Sequence, residues 1–333
     1  MIGVLAVSLD FELHWGGFEK WPIENYKGYF DNTRRAIPEM LGLFQHYQSH
    51  TTWATVGMLF HTSKESLLSK APSLKPSYKI SELSAYNFIK VQGIGDTERQ
   101  DPYHFGASLV QQIVNTPFQE LGSHTFAHYY CNEDGQTVEQ FRADLQAANR
   151  SAKIFNRELK SLVFPRNQFN EEYLRACFEV GFIAVRDNPR DWFWNIQSTQ
   201  SESMWKRLNR GLDAYLPIGA KNTYTLNSLQ FRPGLPVCIP ASRLLRPYRP
   251  KELFLNKMKI ARIKSEMERA AQRGEVYHLW WHPHNFGHYP HESMEGLRQI
   301  LDHFAMCREK YGMQSLSMGE IAEKVMGMGR LED

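Results

Sequence analysis

Glu120-Leu121-Gly122-Ser123-His124-Thr125-Phe126-Ala127-His128 is the stretch on which the interpretation of this 333-residue chain depends. Its two histidines are four residues apart, so both imidazoles can reach one small cation from a helical turn or from a tight loop. Zinc, iron and copper accept imidazole nitrogen, whereas calcium prefers oxygen. No glutamate stands between the histidines, unlike in the H-E-x-x-H sequence of zinc proteases. Two polar residues on a helix face would give the same pattern, so a metal site needs a third ligand and a base from elsewhere.

The composition is that of a globular protein. Hydrophobic residues make up 42% of the chain and charged residues 23%, which excludes disordered and fibrous classes. The length fits one large α/β domain or two smaller ones. A net charge of +3 does not indicate nucleic-acid binding. The four cysteines form no C-x-x-C pair, the N-terminus lacks a basic leader region, and no apolar run reaches the ~18 residues of a membrane span. We therefore expect a soluble, cytoplasmic protein with reduced thiols.

The N-terminal segment predicts a buried strand followed by acidic residues. Residues 4–9 form an almost continuous apolar run, which is typical of a parallel strand buried on both faces. If the extended backbone continues, Asp10, Glu12 and His14 share one face. Two carboxylates beside a buried strand are unfavourable unless a cation or a proton compensates them. Two solvated acids in a loop are the alternative.

Helical and strand-like segments alternate along the chain and predict a parallel α/β architecture. We predict helices at about 34–48, after Thr137 and at 252–272, and strands near 51–57, 161–164, 182–185 and 276–281. Polar pairs follow the ends of successive strands, as they would on the carboxyl rim of a barrel. These pairs are Asp10/Glu12, His124/His128, Arg166/Asn167, Arg186/Asp187 and His282/His284. Residues 62–105 and 188–273 are interpreted as insertions.

At this point the chain resembles the polysaccharide deacetylases, carbohydrate esterase family four. Residues 122–128 match the family's H-[ST]-x-x-H motif, and Ser8-Leu9-Asp10-Phe11-Glu12 looks like its first motif with one intervening residue. The resemblance implies an α/β fold, a distorted (β/α)7-type barrel with insertions, as a single catalytic domain over residues 1–333. It also implies that a divalent metal, with zinc the expected ion, is held by Glu12, His124 and His128, while Asp10 is the base. The Asp-x-Glu form leaves open that Asp10 also reaches the metal.

Two later segments extend the resemblance. Phe164-Pro165-Arg166-Asn167 is similar to the third family motif, with the usual tyrosine replaced near Asn167, and Trp281-His282-Pro283 resembles the late motif that carries the acid histidine. The resemblance implies that Arg166 orients Asp10 and that His282 is the general acid. The residues predicted to bind the substrate are His14, Asn167, Trp281, His284 and Asn285.

The predicted chemistry is hydrolysis of a carbon–nitrogen bond other than a peptide bond. Zinc with three protein ligands keeps an open position for water, whose pKa can fall to about 7. Asp10 would accept the proton from that water, and His282 would protonate the departing amine. The resemblance thus implies removal of an N-acetyl or O-acetyl group from a sugar or sugar precursor in surface-polysaccharide biosynthesis.

The predicted partner is an acylated sugar, linked to a nucleotide or to a lipid pyrophosphate. Basic residues between 243 and 264 fit a solvated helix face, or a surface for phosphates or for peripheral contact with an anionic membrane. A nucleic-acid polymer is not expected. The alternatives are a cyclic-amide hydrolase of the allantoinase-like branch and a non-catalytic metal- and sugar-binding protein. Two-carboxylate glycoside hydrolysis is disfavoured, because acids two residues apart on one strand cannot flank a glycosidic bond.

Overall fold

A parallel β-sheet forms the centre of the molecule. The computed structural model describes residues 2–189, 205 and 222–329, and within these ranges nine strands form one sheet in which all paired strands run parallel. The strand order is β6-β5-β4-β3-β2-β1-β8-β7, with β9 paired to β1. The strands are β1 (Val4–Phe11), β2 (Thr51–Thr55), β3 (Gln119–Ser123), β4 (Ser161–Leu162), β5 (Ala184–Asp187), β6 (Val237–Pro240), β7 (Arg243–Leu244), β8 (Val276–Trp281) and β9 (Gln314–Ser315).

The two ends of this strand order are joined by a very short connection. β6 and β7 are the terminal strands, and only Ala241 and Ser242 separate them in sequence. Because the three Cα–Cα steps from Pro240 to Arg243 span at most ~11 Å, the two edges of the sheet must lie close together. The sheet therefore curls, and the predicted α/β distorted barrel is confirmed.

Helices connect successive strands. In the described ranges they are α1 (Lys27–His46), α2 (Lys64–Lys70), α3 (Ala85–Val91), α4 (Ala107–Asn115), α5 (Val138–Ala152), α6 (Glu171–Glu179), α7 (Leu253–Arg273), α8 (Pro290–Tyr311) and α9 (Met318–Gly329). The capping box predicted at the start of α5 forms between Thr137 and Gln140. The prediction that α1 begins near residue 34 was wrong. Pro38 lies inside the helix, where burial of Phe30, Ile37 and Phe44 outweighs the missing backbone hydrogen bond.

The predicted burial of the first strand is confirmed, since all eight residues of β1 are buried. β1 lies between β2 and β8, so helices cover it on one side and the barrel interior lies on the other. Phe11 packs edge-on against Trp53 of β2, with ring centroids 6.0 Å apart. Because β1 is hydrogen-bonded to a strand on each side, the position of Asp10 near its carboxyl end is fixed by the sheet.

The two predicted insertions contain regular structure. Residues 62–105 include α2 and α3. The range 188–273 includes α7 together with β6 and β7, which pair with β5 and β8 and so belong to the sheet. Residues 190–204 and 206–221 of this range lie outside the described residues. The organisation as one domain with two insertions stays a prediction. No helix within the described part of the chain is long and apolar enough to cross a membrane.

Candidate active site

The end of β1 supplies two carboxylates with different surroundings. Asp10 belongs to the strand, and Glu12 directly precedes a 3-10 turn over Leu13–Gly16. Gly16 lies so close that a Cβ atom there would be 1.9 Å from Glu12 Oε1. Leu13 has a φ of 46°, in the left-handed region, so the chain turns away immediately after Glu12. The compact turn leaves Asp10 and Glu12 together at the carboxyl end of β1 and directs the side chains after Leu13 away from them.

The two histidines of the opening stretch lie in a tight loop. β3 ends at Ser123, and Thr125 and His128 take φ angles of 63° and 53°, which excludes a continuous helical turn. Asp144, fully buried on α5, holds this loop by accepting hydrogen bonds from the backbone N–H groups of Phe126 at 2.6 Å and Ala127 at 3.1 Å. Sequence reasoning missed Asp144. The available signal was an acidic residue between the apolar positions of the α5 stripe.

Glu12, His124 and His128 converge on one point. The Glu12 Oε2 atom lies 3.0 Å from Nε2 of His128 and 3.3 Å from Nε2 of His124. One potential ligand atom from each residue falls within 4.8 Å of the others, and all three side chains are buried. This is the set that the sequence predicted as metal ligands, and its role as a ligand set stays a prediction.

The protonation of these groups fits a bound cation. His124 Nδ1 is 2.8 Å from the carbonyl oxygen of Val163, which can only accept, so the proton of a neutral ring resides there and Nε2 carries a lone pair. Burial lowers the pKa of His128. Burial alone would raise the pKa of Glu12, but the charge of His282 is the largest of the influences that outweigh it, and this pKa lies well below its usual value. A buried carboxylate facing unprotonated ring nitrogens is favourable when a cation lies between them.

Asp10 is held by an arginine, but not by the predicted one. Arg186 of β5 donates from Nη1 to Asp10 Oδ1 at 2.6 Å and from Nη2 to Oδ2 at 2.7 Å. Its Nη2 also lies 3.2 Å from Oδ1 of Asn167, and its guanidinium stacks 4.1 Å above the Trp280 ring. Burial acts to raise the pKa of Asp10, but Arg186 and His282 outweigh it, so this pKa lies below its usual value.

The expected contact between Arg166 and Asp10 is therefore corrected. Arg166 has a left-handed backbone with a φ of 55°, which directs its side chain to another cluster. Its guanidinium pairs with Glu19 and with Glu133 and lies 3.9 Å from the centre of the Tyr130 ring. Tyr130 in turn lies 3.0 Å from Nδ1 of His128. Arg166 thus supports the histidine loop, while the orienting contact to Asp10 comes from Arg186.

A buried histidine below Asp10 completes the support of Arg186. His278 of β8 places Nδ1 3.3 Å from the carbonyl oxygen of Pro240 and Nε2 2.9 Å from Oγ of Ser8. Burial and the charge of Arg186 lower the pKa of His278 to about 3, so the ring is neutral. Ser8 can then donate to His278 while it accepts from Nη1 of Arg186 at 3.1 Å. This network was not predicted.

Two further histidines border the site from the segment after β8. Nε2 of His282 lies 3.7 Å from both Asp10 Oδ2 and Glu12 Oε1, and 28% of its side chain is exposed. His284 is buried with Nδ1 3.7 Å from Glu12 Oε1, and that nitrogen has no hydrogen-bond partner among the described residues. Burial and the neighbouring His282 lower the pKa of His284 to about 3. Asn285 is half-buried in the same turn.

Two of the predicted substrate contacts lie elsewhere. His14 does not share a face with Asp10 and Glu12, because the turn at Leu13 redirects it; its ring nitrogens lie 2.7 Å from His104 Nε2 and from the Trp21 carbonyl oxygen. Trp281 is fully buried and stacks on Phe286 in the core, with ring centroids 6.2 Å apart. The strand alternation instead turns its neighbour Trp280 toward Arg186.

Structural comparisons agree with the fold. A protein from Mycobacterium smegmatis assigned to the polysaccharide deacetylases aligns over 99% of this chain and 92% of its own length, with 13% identity and a TM-score of 0.58. A similarly assigned protein from Pseudomonas aeruginosa aligns over 96% and 90%, with 11% identity and a TM-score of 0.56. An allantoinase, PuuE, aligns over 96% and 90%, with 10% identity and the same score. At these identities the likeness concerns the fold alone.

The family assignment comes from the sequence comparison. Residues 27–185 match the family model described as polysaccharide deacetylase, whereas no curated protein matches the chain. The matched range contains His124 and His128, and the barrel brings Asp10, Glu12 and His282 from outside it to the same point. The chain therefore contains a polysaccharide deacetylase domain over residues 27–185, and the members of that family are metal-dependent hydrolases that act on the C–N bonds of acetyl groups.

Proposed function

We propose that this protein removes an N-acetyl, or less favourably an O-acetyl, group from a sugar or sugar precursor of surface-polysaccharide biosynthesis. The observation that carries the proposal is the convergence at the barrel rim of a Glu/His/His set with a second carboxylate and an exposed imidazole. Nε2 of His282 lies 3.7 Å from both Asp10 and Glu12, so the proposed base, acid and ligand set surround one small volume.

Glu12, His124 and His128 are the proposed metal ligands. One carboxylate with two imidazoles is a zinc-type donor set, which leaves an open position. The ion would supply Lewis-acid chemistry, namely a lowered pKa for water and stabilisation of negative charge on the acyl oxygen. Asp144 and the carbonyl of Val163 fix the loop and the ring orientation of the histidines before any ion arrives.

Asp10 is the proposed general base. Its carboxylate remains ionised because Arg186 donates two hydrogen bonds to it, and it is the acceptor for the proton of the attacking water. The bidentate contact also prevents the carboxylate from rotating out of position. Arg186 therefore acts through Asp10 as a positioning residue.

His282 is the proposed general acid. As the C–N bond breaks, its imidazolium gives a proton to the nitrogen of the sugar, and the products are acetate and a free amine. The partial exposure of its side chain allows contact with a substrate in the rim. Asn167, His284 and Asn285 are the proposed contacts for the sugar, and the unpartnered Nδ1 of His284 is available to one of its hydroxyl groups.

We further propose a nucleotide-linked or lipid-pyrophosphate-linked sugar as the substrate and the cytoplasm as the compartment. The support is the excess of basic residues between 243 and 264 in the segment that follows β7 on the same rim. Phosphate groups are recognised by such side chains.

Acetate release and metal content, measured on the same preparations, test this function. Acetate release is expected from nucleotide sugars or lipid-linked sugars, with soluble oligosaccharides tested alongside them. Ring opening of a cyclic ureide, which releases no acetate and is followed by the new carboxylate, would instead favour the cyclic-amide hydrolase. Asp10→Asn should abolish release while the metal is retained, and His124→Ala should lose both. Asp96→Asn, at an exposed acid away from the site, is the control. Undiminished release by Asp10→Asn would refute the proposed base. Metal and sugar binding without turnover would favour a binding protein, and release only from exported polymers would exclude a cytosolic substrate.

A further inference from the structure

Two bulky apolar side chains are exposed side by side where α7 begins. Leu253 is 61% and Phe254 74% exposed, the latter the largest exposed fraction among the large hydrophobic side chains of the described residues. Single exposed apolar residues are common on soluble proteins and need no explanation. An adjacent leucine and phenylalanine at the projecting end of a helix form a contiguous patch, which is typical of a surface that contacts something apolar.

Basic side chains surround this patch. Arg249, Lys251 and Lys257 are exposed, and Lys257 lies three residues from Phe254, on the same side of α7. Glu252, directly before α7, is the only acid in the sequence from 243 to 264. It pairs with Arg249 at 3.1 Å. We call the five residues Arg249, Lys251, Leu253, Phe254 and Lys257 the α7 tip.

Three other basic residues nearby are engaged within the fold. Arg243 and Arg262 both pair with Glu266, and the buried Lys259 donates to the carbonyl oxygens of Arg246 and Pro247. Glu292 and Glu295 are exposed on the neighbouring helix α8, and Glu295 lies 3.9 Å from Arg298. Exposed basic side chains thus border the two apolar side chains, and the exposed acids Glu292 and Glu295 line the groove behind them.

An apolar cavity lies directly behind the patch. Its volume is about 280 Å³, and its apolar lining comes from Leu245, Tyr248, Leu253, Ile260 and Phe286. Tyr248 packs edge-on against Tyr289, which is 37% exposed. Tyrosines with an apolar ring and a polar hydroxyl favour the boundary between hydrocarbon and water. The patch thus continues inward as an apolar groove bordered by aromatic side chains.

The α7 tip also lies on the catalytic rim. β7 and β8 run parallel, with Arg243 opposite Leu279, so the segments after both strands leave the barrel at the same end. The segment after β8 carries His282 and His284, and its Phe286 lines the cavity together with Leu253. Whatever contacts the α7 tip is therefore presented to the same rim that carries the Glu12 cluster.

We propose that the α7 tip docks this protein on an anionic lipid bilayer. Leucine and phenylalanine inserted at the headgroup boundary, with arginine and lysine among the anionic headgroups, are the combination that holds peripheral proteins on membranes. A second copy of the chain fits this surface less well. Two α7 tips facing each other would bring like charges together, whereas anionic headgroups neutralise them. The inference does not require the proposed reaction.

Flotation of the full-length protein with vesicles tests the proposal. Binding is expected with phosphatidylcholine vesicles that contain phosphatidylglycerol, and weaker binding with phosphatidylcholine alone. High salt should decrease binding to the anionic vesicles. Lys251→Gln with Lys257→Gln should lower the partition coefficient about 25-fold, because each basic residue contributes about fivefold near an anionic surface. Leu253→Ser with Phe254→Ser should lower it at least tenfold. Lys90→Gln with Val91→Ser, an exposed basic and apolar pair on α3 with Val91 66% exposed, is the matched control and should bind like the wild type.

Three outcomes would overturn the proposal. The first is equal binding by the α7-tip variants and the control. The second is no binding to anionic vesicles at all. The third is a concentration-dependent dimer in sedimentation that the Leu253/Phe254 variant abolishes, which would assign the surface to a second copy. Acetate release from a soluble acetylated sugar that carries no phosphate should be unchanged in these variants, so failure of vesicle binding and failure of the deacetylase proposal are separate results.

Discussion

Arg186 and Asp10 form a buried ion pair whose energetic coupling can be measured. Their side chains are 1% and 5% exposed and share two hydrogen bonds of 2.6 and 2.7 Å. Arg186→Met leaves the Asp10 carboxylate buried without its counter-charge, which typically costs about 3–5 kcal/mol of unfolding free energy. The same substitution in an Asp10→Asn background leaves no carboxylate at position 10 without its counter-charge. We therefore expect its cost there to be smaller by about 2 kcal/mol or more, which is the coupling energy of the pair.

Urea unfolding of the four proteins of this cycle, followed by circular dichroism, gives the coupling energy. The measurement is made with a chelator present, so that differences in metal binding do not add to the unfolding free energy. Arg166→Met in the same two backgrounds is the control, because Arg166 pairs with Glu19 and Glu133 instead. Its effect should be additive with that of Asp10→Asn within about 0.5 kcal/mol. Additivity for Arg186, or coupling for Arg166, would refute the assignment of Arg186 as the residue that holds Asp10.

Three further predictions concern the metal loop and its neighbours. Gly16→Ala should displace Glu12, since the added Cβ would fall 1.9 Å from Oε1. A calorimetric titration should then show zinc affinity reduced by tenfold or more. Gly28→Ala is the control and should leave zinc affinity unchanged, because no atom lies within 4 Å of the Cβ added there. Zinc at 100 times its dissociation constant should raise the unfolding free energy by about 2.7 kcal/mol in the wild type but not in His128→Ala. Burial raises the pKa of Asp144 from 3.8 to about 7. Since the native state then binds the proton more tightly than the unfolded chain, stability should fall by about 4 kcal/mol as pH rises through this window. Asp144→Asn should flatten that dependence of the unfolding free energy on pH, as measured by urea titrations at several pH values.

The strands and the motif at each strand end could be predicted from sequence because both depend on local patterns. A continuous apolar run identifies β1, and the residues directly after it are then placed at the carboxyl rim by the parallel topology alone. Placing Asp10 and Glu12 after β1 and the His124–His128 loop after β3 needed no further information. Their convergence within 3.3 Å follows from the parallel topology, in which only β2 separates β1 from β3.

Side-chain partners chosen by backbone conformation could not be predicted in this way. Arg166 and Arg186 both follow or end short apolar strands, and periodicity gives no reason to prefer one over the other. The left-handed φ of Arg166 decides between them, as that of Leu13 decides the direction of His14. Asp144 was missed for a related reason. Its place in the apolar stripe of α5 indicates a buried acid, but the sequence does not show that its partners are the backbone N–H groups of Phe126 and Ala127.

The Arg186–Asp10 contact also connects the proposed chemistry with the architecture. β5 and β1 are four positions apart in the strand order, and neighbouring strands are about 4.8 Å apart, so a flat sheet would separate them by roughly 19 Å. The guanidinium and carboxylate are nevertheless 2.6 Å apart, because the sheet curls and both side chains point into its interior. His278 on β8 and Ser8 on β1 extend the same network across the barrel. A change that opens the short β6–β7 connection should therefore release Asp10 from Arg186 before it disturbs Glu12, whose partners lie on the nearby strand β3 and the loop after it.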